Sequence, residues 1–276
     1  MATAAELLRA SGLDAREARL LLANRLGVSL AVLGAYPERT IEPQTQRRIE
    51  TDFARRRAGE PVAYIMGERE FYGLLLRVNP AVLIPRPETE LIVELALARL
   101  CDGDRVLDLG TGSGAIAIAL AVSRPALEVS ACDVSESVLA LARSNAARHG
   151  ARLRLVASDW FSALSGEQFN AIVSNPPYIA SGDRHLTEGD LRWEPRHALE
   201  AGPSGMEAIT AIVLAAPKHL LPEGWLAIEH GYDQGPACEA LLRRAGFADV
   251  ADHADLAGLP RVAIGRWKRS SAMLKS

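Results

Sequence analysis

Beyond residue 100 the chain alternates between short apolar, β-branched runs and longer amphipathic ones. Strand-like runs cover 105–109, 127–132, 153–157, 171–174, 225–229, 247–251 and 262–264, and helix-like segments cover 115–123, 135–149, 205–219 and 234–245. Such alternation predicts a mainly parallel sheet covered by helices on both faces, an α/β fold. The last two runs have no helix between them, which predicts an antiparallel hairpin at the sheet edge.

The stretch 1–60 shows helical spacing and no strand pattern. Asp14 is placed to cap a helix with Glu17 answering it, Ala15, Ala18, Leu22 and Leu26 fall on one face, and Gly27 ends the run. A second helix fits 44–57, with RRIETDFARRR as an exposed basic face, either solvated or a dock for an acidic partner. At 70–84 the pattern becomes alternating, with Asn79-Pro80 as a turn signal, so a short hairpin is expected. Pro85-Arg86-Pro87-Glu88-Thr89-Glu90 then opens a helix running to Leu100. The expected units are a helical region 1–68, a hairpin linker 69–86, an α/β domain 87–267 and a flexible tail 268–276.

Composition removes several classes. The chain has 276 residues, 49% hydrophobic and 24% charged, with 31 basic against 34 acidic side chains, so charge alone gives no grip on nucleic acid. Cys101, Cys132 and Cys238 lack CxxC spacing, which fits a reduced compartment without a zinc ribbon or disulfide frame. No secretory pattern opens the sequence and no run reaches the ~18 apolar residues of a membrane span, so a cytoplasmic location is expected. The six histidines show neither HxxxH nor HExxH spacing, which argues against a metal site, and GPSGM at 202–206 is not a G-x-S-x-G nucleophile elbow.

Candidate chemistry collects at strand ends. The first α/β strand leads into Gly110-Thr111-Gly112-Ser113-Gly114, where glycines permit a tight strand-to-helix turn and close approach of a nucleotide-type ligand. Asp133 ends the second strand, one helix downstream of the glycines, where a carboxylate can accept hydrogen bonds from ribose hydroxyls. Asp159-Trp160 follows the third strand and offers a hydrogen bond and an aromatic wall for a purine. Singly, Asp133 could be a helix cap and Trp160 core packing; their placement at successive strand ends favours the ligand role. The fourth strand ends in Asn175-Pro176-Pro177-Tyr178. Its prolines stop the strand and present the Asn175 carboxamide oxygen and the Pro176 carbonyl as fixed acceptors beside a flat Tyr178, a match for an NH₂ group.

These motifs, with PVAYIMGEREFYGLLLRVNPAVLIPRPETE (61–90), SDWF (158–161), EPRHALEAGPSGMEAI (194–209) and IEHGYDQG (228–235), resemble the release factor N5-glutamine methyltransferases, the PrmC/HemK family. The resemblance implies a seven-stranded Rossmann-like class I methyltransferase domain behind a small helical domain. It also implies transfer of methyl from S-adenosylmethionine to the glutamine of the Gly-Gly-Gln loop of class 1 peptide-chain release factors. On matching positions Gly110, Thr111, Gly112, Ser113, Gly114, Asp133, Asp159, Trp160 and Asn175 would hold the cofactor. Asn175, Pro176, Pro177 and Tyr178, with Arg86 and Glu88 of the IPRPETE stretch, would receive the glutamine, and Asn175, Pro176 and Tyr178 would carry catalysis. A monomer without metal, membrane or stable nucleic-acid complex is expected. Competing readings are a ribosomal-protein glutamine methyltransferase, an adenine-N6 DNA methyltransferase serving a flipped base, and a non-catalytic cofactor-binding scaffold.

Overall fold

Caps and apolar spacing agree along the N-terminal helices. A computed structural model describes residues 1–268, so the expected tail 268–276 lies outside the described residues but for Lys268. Helix α1 (Ala4–Ala10) begins at a Thr3/Glu6 capping box, and α2 (Ala15–Leu26) begins at Asp14, whose side chain accepts from the Arg16 and Glu17 amides. Gly27 closes α2 in the left-handed conformation at φ 63°. Then come α3 (Leu30–Ala35), α4 (Pro43–Arg57) and α5 (Val62–Met66). Leu7, Leu21, Leu22, Leu33, Ile49, Phe53 and Ile65 pack together as one apolar core. Helices α1, α3 and α5 were not expected; at five to seven residues they complete too few turns to show a period.

Two expectations fail in this region. The buried face of α2 centres on Ala18, Leu21 and Leu22, while Ala15 is exposed. The basic run of α4 is only partly an open surface: Arg47, Arg48 and Arg57 are exposed, whereas Ile49, Asp52 and Phe53 are buried and Arg55 and Arg56 pair with Glu60 and Glu17. Arg25 donates through two nitrogens to Asp52, both at 2.8 Å. Arg56 donates to Glu17 at 2.8 and 2.9 Å and reaches Asp190 at 2.8 Å, so Glu17 serves Arg56 rather than the α2 cap.

The hairpin forms from β1 (Glu68–Phe71) and β2 (Leu74–Arg77), turning at Tyr72-Gly73 rather than at Asn79-Pro80. Both turn residues have positive φ, 52° and 74°, which suits the right-handed twist of the strands. Asn79 makes a separate turn, its side chain accepting from the Ala81 amide. Val78, Val82 and Ile84 then pack with Tyr64 and Val138, and the Tyr64 hydroxyl donates to the Val82 carbonyl at 2.6 Å. The helix expected at 85–100 is a 3₁₀ turn, Pro87–Thr89, followed by α6 (Glu90–Leu97).

The remaining elements are β3 (Arg105–Leu109), α7 (Ala115–Ser123), β4 (Glu128–Asp133), α8 (Glu136–Arg148), β5 (Arg154–Ala157), β6 (Phe169–Ser174), α9 (Glu207–Ala215), β7 (Leu220–Glu229), α10 (Gly235–Arg244), β8 (Ala248–Ala254) and β9 (Pro260–Arg266). Pro217 converts the end of the expected 205–219 helix into a 3₁₀ turn. Strand β7 starts at Leu220, ahead of its expected start at Trp225, because Pro222 and Gly224 mask the beginning of the run.

The seven strands order as β5-β4-β3-β6-β7-β9-β8. Strands β3 to β7 pair in parallel, whereas β9 pairs antiparallel with both β7 and β8, the expected edge hairpin. Alternation within each strand feeds two cores. Val106, Val129 and Val173 meet α6 and α7 on one face, and Leu107, Ile172 and Leu226 meet α9 and α10 on the other. Helix α7, AIAIALAVS, is buried from Ala115 through Ala121, which is why it shows no polar face. The chain runs from β3 to β4 on one side and returns to β6 on the other. The carboxyl ends of β3, β4 and β6 therefore form a switch point, the usual ligand crevice of such sheets.

Candidate active site

A cavity of about 290 Å³ opens at that switch point. Gly110, Gly112, Asp133, Trp160, Asn175 and Pro177 line it, with Arg86 and Thr89 on the side of the 3₁₀ turn and the exposed His197 also in the lining.

The glycine loop leaves β3 in left-handed conformations, φ 70° at Gly110 and 55° at Gly112. Thr111, Ser113 and the two glycines face the cavity. Gly114 does not. A Cβ there would meet Ile118 Cδ1 at 2.8 Å and Ala142 Cβ at 3.3 Å, so this glycine lets α7 and α8 approach, and its expected ligand role is not supported. The loop is braced from both sides. Asp108, fully buried in β3, accepts from the Thr111 hydroxyl at 2.6 Å, while its Oδ1 is buried without a hydrogen bond. Burial pushes its carboxyl pKa up to about 7. Asn145, on α8, donates to the Ser113 and Arg77 carbonyls and accepts from the Arg77 amide, tying the loop to the hairpin.

Asp133 has one oxygen accepting from the Gly112 amide and the other from the Ser135 amide, each at 3.1 Å. It thus shapes the glycine loop as well as facing the cavity, while the Ser135 hydroxyl caps α8. Trp160 sits at φ 46°, a conformation that a bulky residue adopts only under constraint. The constraint comes from Ser158, whose hydroxyl donates to the Trp160 carbonyl at 2.8 Å and accepts from the Ala163 amide. The ring then stands over Gly110, 3.6 Å from where a Cβ would lie. Asp159 is exposed and lines the same wall.

Across the cavity, Asn175 Nδ2 donates to the Thr89 hydroxyl at 2.9 Å, which leaves Oδ1 as the carboxamide acceptor available to the cavity. Pro177 lines the cavity; Pro176 is buried outside the lining. Tyr178 departs from expectation. Its ring packs on the sheet core and its hydroxyl reaches Glu229 Oε1 at 3.3 Å, so it offers no flat face to the cavity. Its backbone carbonyl accepts from Gln234 Nε2 at 3.0 Å. Arg86 lines the cavity with its guanidinium paired to buried Glu194, which also accepts from the Ile84 amide. Glu88 is exposed and lies outside the lining.

Thr89, Ser158, Glu194, Glu229 and Gln234 were missed. All five sit in segments singled out above, but the partners of Thr89, Glu229 and Gln234 lie 51 to 86 residues away, beyond any local pattern. Among the described residues, no group of three or more His, Cys, Asp or Glu is placed to hold a metal, and no helix is long and apolar enough to cross a membrane.

The family model "Methyltransferase small domain" matches residues 88–191, and "PrmC N-terminal domain" matches 1–67. The release factor glutamine methyltransferase of Burkholderia pseudomallei is 51% identical over 275 residues, 96% of each chain. That of Pseudomonas aeruginosa is 50% identical over 276 residues, 97% of this chain and 99% of the other. Among solved structures, a methyltransferase from Pyrococcus furiosus superposes with a TM-score of 0.55 at 21% identity, covering 83% of this chain and all of that one, a likeness of fold.

Proposed function

Because this chain belongs to the family of release factor glutamine methyltransferases, we propose that it methylates the side-chain amide nitrogen of a release factor glutamine, that of the Gly-Gly-Gln loop of class 1 factors. The observation that carries this reading is the pairing, across one cavity, of a glycine loop braced by Asp133 with an asparagine whose amide end is already engaged.

S-adenosylmethionine fits as the methyl donor. Gly110 and Gly112 leave the loop without side chains, Trp160 supplies a flat wall above Gly110, and Asp133 retains lone pairs for ribose hydroxyls. These residues, with Thr111, Ser113 and Asp159, would hold it. Bound there, it would supply a methyl group on a sulfonium, so that a C–N bond forms as a C–S bond breaks.

An amide nitrogen is a poor nucleophile because its lone pair is delocalised. Asn175 Oδ1 would accept one of its hydrogens and point the lone pair at the methyl group; Pro176, buried outside the lining, would supply the second acceptor only through its backbone carbonyl. The same acceptors stabilise positive charge as it grows on nitrogen, and the proton leaves afterwards to water. Catalysis is positioning and preorganised electrostatics. Residues 1–68 would dock the release factor, residues 69–86 link, and residues 87–267 carry the chemistry, in a cytoplasmic monomer. Incubating the protein with labelled S-adenosylmethionine and release factor, ribosomal protein or duplex DNA in parallel tests the reading. Label is expected on the release factor glutamine, and label on DNA or ribosomal protein alone would overturn it.

A further inference from the structure

One side chain fastens the hairpin linker to the glycine loop. Asn145, on α8, is fully buried. Its Nδ2 donates to the Ser113 carbonyl at 2.9 Å and to the Arg77 carbonyl at 3.0 Å, and its Oδ1 accepts from the Arg77 amide at 2.8 Å. A carboxamide NH₂ has two hydrogens, and both are used here. Ser113 lines the cavity and Arg77 ends β2, so this carboxamide joins the wall of the cavity to the hairpin.

The chain beyond Arg77 depends on that joint. It turns at Asn79 and brings Ala81, Val82, Leu83 and Pro85 into the cavity lining. Val78, Val82 and Ile84 pack with Val138, near the start of the same helix α8. Nearer its end, the Ser144 hydroxyl accepts from the Arg77 guanidinium at 3.0 Å, the His149 ring meets the Leu75 carbonyl at 2.9 Å, and Arg148 pairs with Glu68. Those three contacts are exposed and reach only the hairpin. Asn145 is the one of the four that also holds the glycine loop.

We infer that Asn145 is a positioning residue for the methyl donor: it fixes the Ser113 carbonyl and the end of β2 in one register, so that ligand on the glycine loop and order in the hairpin are energetically coupled. The inference rests on the reading of this cavity as an S-adenosylmethionine site. Coupling of this kind is reciprocal. A ligand that steadies the loop steadies the hairpin, and an intact hairpin strengthens ligand binding by the same factor. The effect extends toward the helical region, because the Tyr64 hydroxyl of α5 donates to the Val82 carbonyl at 2.6 Å in a buried contact.

The test combines calorimetry with S-adenosylmethionine, thermal melting and amide hydrogen exchange on the full chain. Asn145→Ala should weaken the ligand roughly 10- to 100-fold, the scale of a buried acceptor left without its donor. Asn145→Asp keeps the shape but sets a carboxylate against two carbonyls, so it should lose at least as much. The double variant Arg148→Ala/His149→Ala removes hairpin contacts and leaves the loop alone; it should melt lower with ligand affinity held. In the parent, saturating S-adenosylmethionine should slow exchange of the β1–β2 ladder amides severalfold, and in Asn145→Ala at equal occupancy that slowing should vanish.

The exchange measurement on the parent needs no variant to fold, and a hairpin indifferent to bound ligand overturns the inference by itself. Unchanged affinity in both Asn145 variants also overturns it and leaves the cofactor reading standing. An equal affinity loss in the Arg148→Ala/His149→Ala protein, or ligand protection that persists in Asn145→Ala, makes Asn145 a structural tie only, and the inference again fails. A parent that binds no S-adenosylmethionine overturns both.

Discussion

The two halves of the cavity rim are built by opposite means. At the ends of β3, β4 and β5 the wall is mostly backbone: a loop in left-handed conformations, an aspartate holding one of its amides, and a tryptophan turned over a glycine. At the ends of β6 and β7 the wall is a set of side chains holding one another, Asn175 on Thr89, Tyr178 on Glu229 and Gln234 on the Tyr178 carbonyl. A backbone cradle suits a ligand that must bind in one pose. A side-chain network suits a reaction in which one hydrogen-bond acceptor must point one way, because changing one member reorients the rest.

The comparison is broken most directly at its reactive end. Asn175→Ala should lower kcat by roughly 10²-fold or more, as loss of a preorganised acceptor does, while cofactor affinity measured by calorimetry falls far less. Comparable losses in both would mean that the two halves act as one binding surface. On the cradle side, Asp133→Ala should weaken S-adenosylmethionine binding by roughly 10- to 100-fold, the range for charged hydrogen bonds, with melting temperature little changed. Because Asp133 also holds the Gly112 amide, Asp133→Asn, whose carboxamide oxygen can still accept from it, should recover part of the affinity. No recovery would assign the loss to the ligand contacts alone.

Legibility divides along the same line. Glycine spacing, an acidic end to the next strand and the prolines after Asn175 are local marks, each dictated by backbone geometry, so the cradle and the position of the reactive loop can be read from residues in order. So can the strands of the doubly covered sheet, because burial on both faces makes them continuous apolar runs. Direction within the reactive loop cannot be read this way. Tyr178 looks like a stacking platform beside Asn175, and only the sheet order, with β7 next to β6, reveals that its hydroxyl has a buried carboxylate to reach. Gly114 misleads for a related reason, since the helix packing that demands it involves Ala142, on the far side of β4 in the chain. The Asn79-Pro80 signal is a genuine turn in the wrong place, as Tyr72-Gly73 had already closed the hairpin.

The smallest expected effect concerns the contact between the N-terminal helices and the segment that follows the reactive loop. Arg56 and Asp190 meet at 2.8 Å, the arginine mostly covered and the aspartate about half exposed, and Arg192 donates to the Ala58 carbonyl nearby. Asp190→Ala removes this pair and leaves Arg56 bound to Glu17 and to the Gly59 and Glu60 carbonyls, so the helices keep their own structure. A partly exposed ion pair contributes little, and here its role is to hold a proposed docking module at a fixed angle to the cavity. KM for release factor should therefore rise by no more than about fivefold, with kcat and cofactor affinity unchanged and the effect fading in high salt. A change confined to kcat would mean instead that residues 180–200 shape the cavity itself, and that the reactive half of the rim extends further along the chain than the Asn-Pro-Pro-Tyr loop.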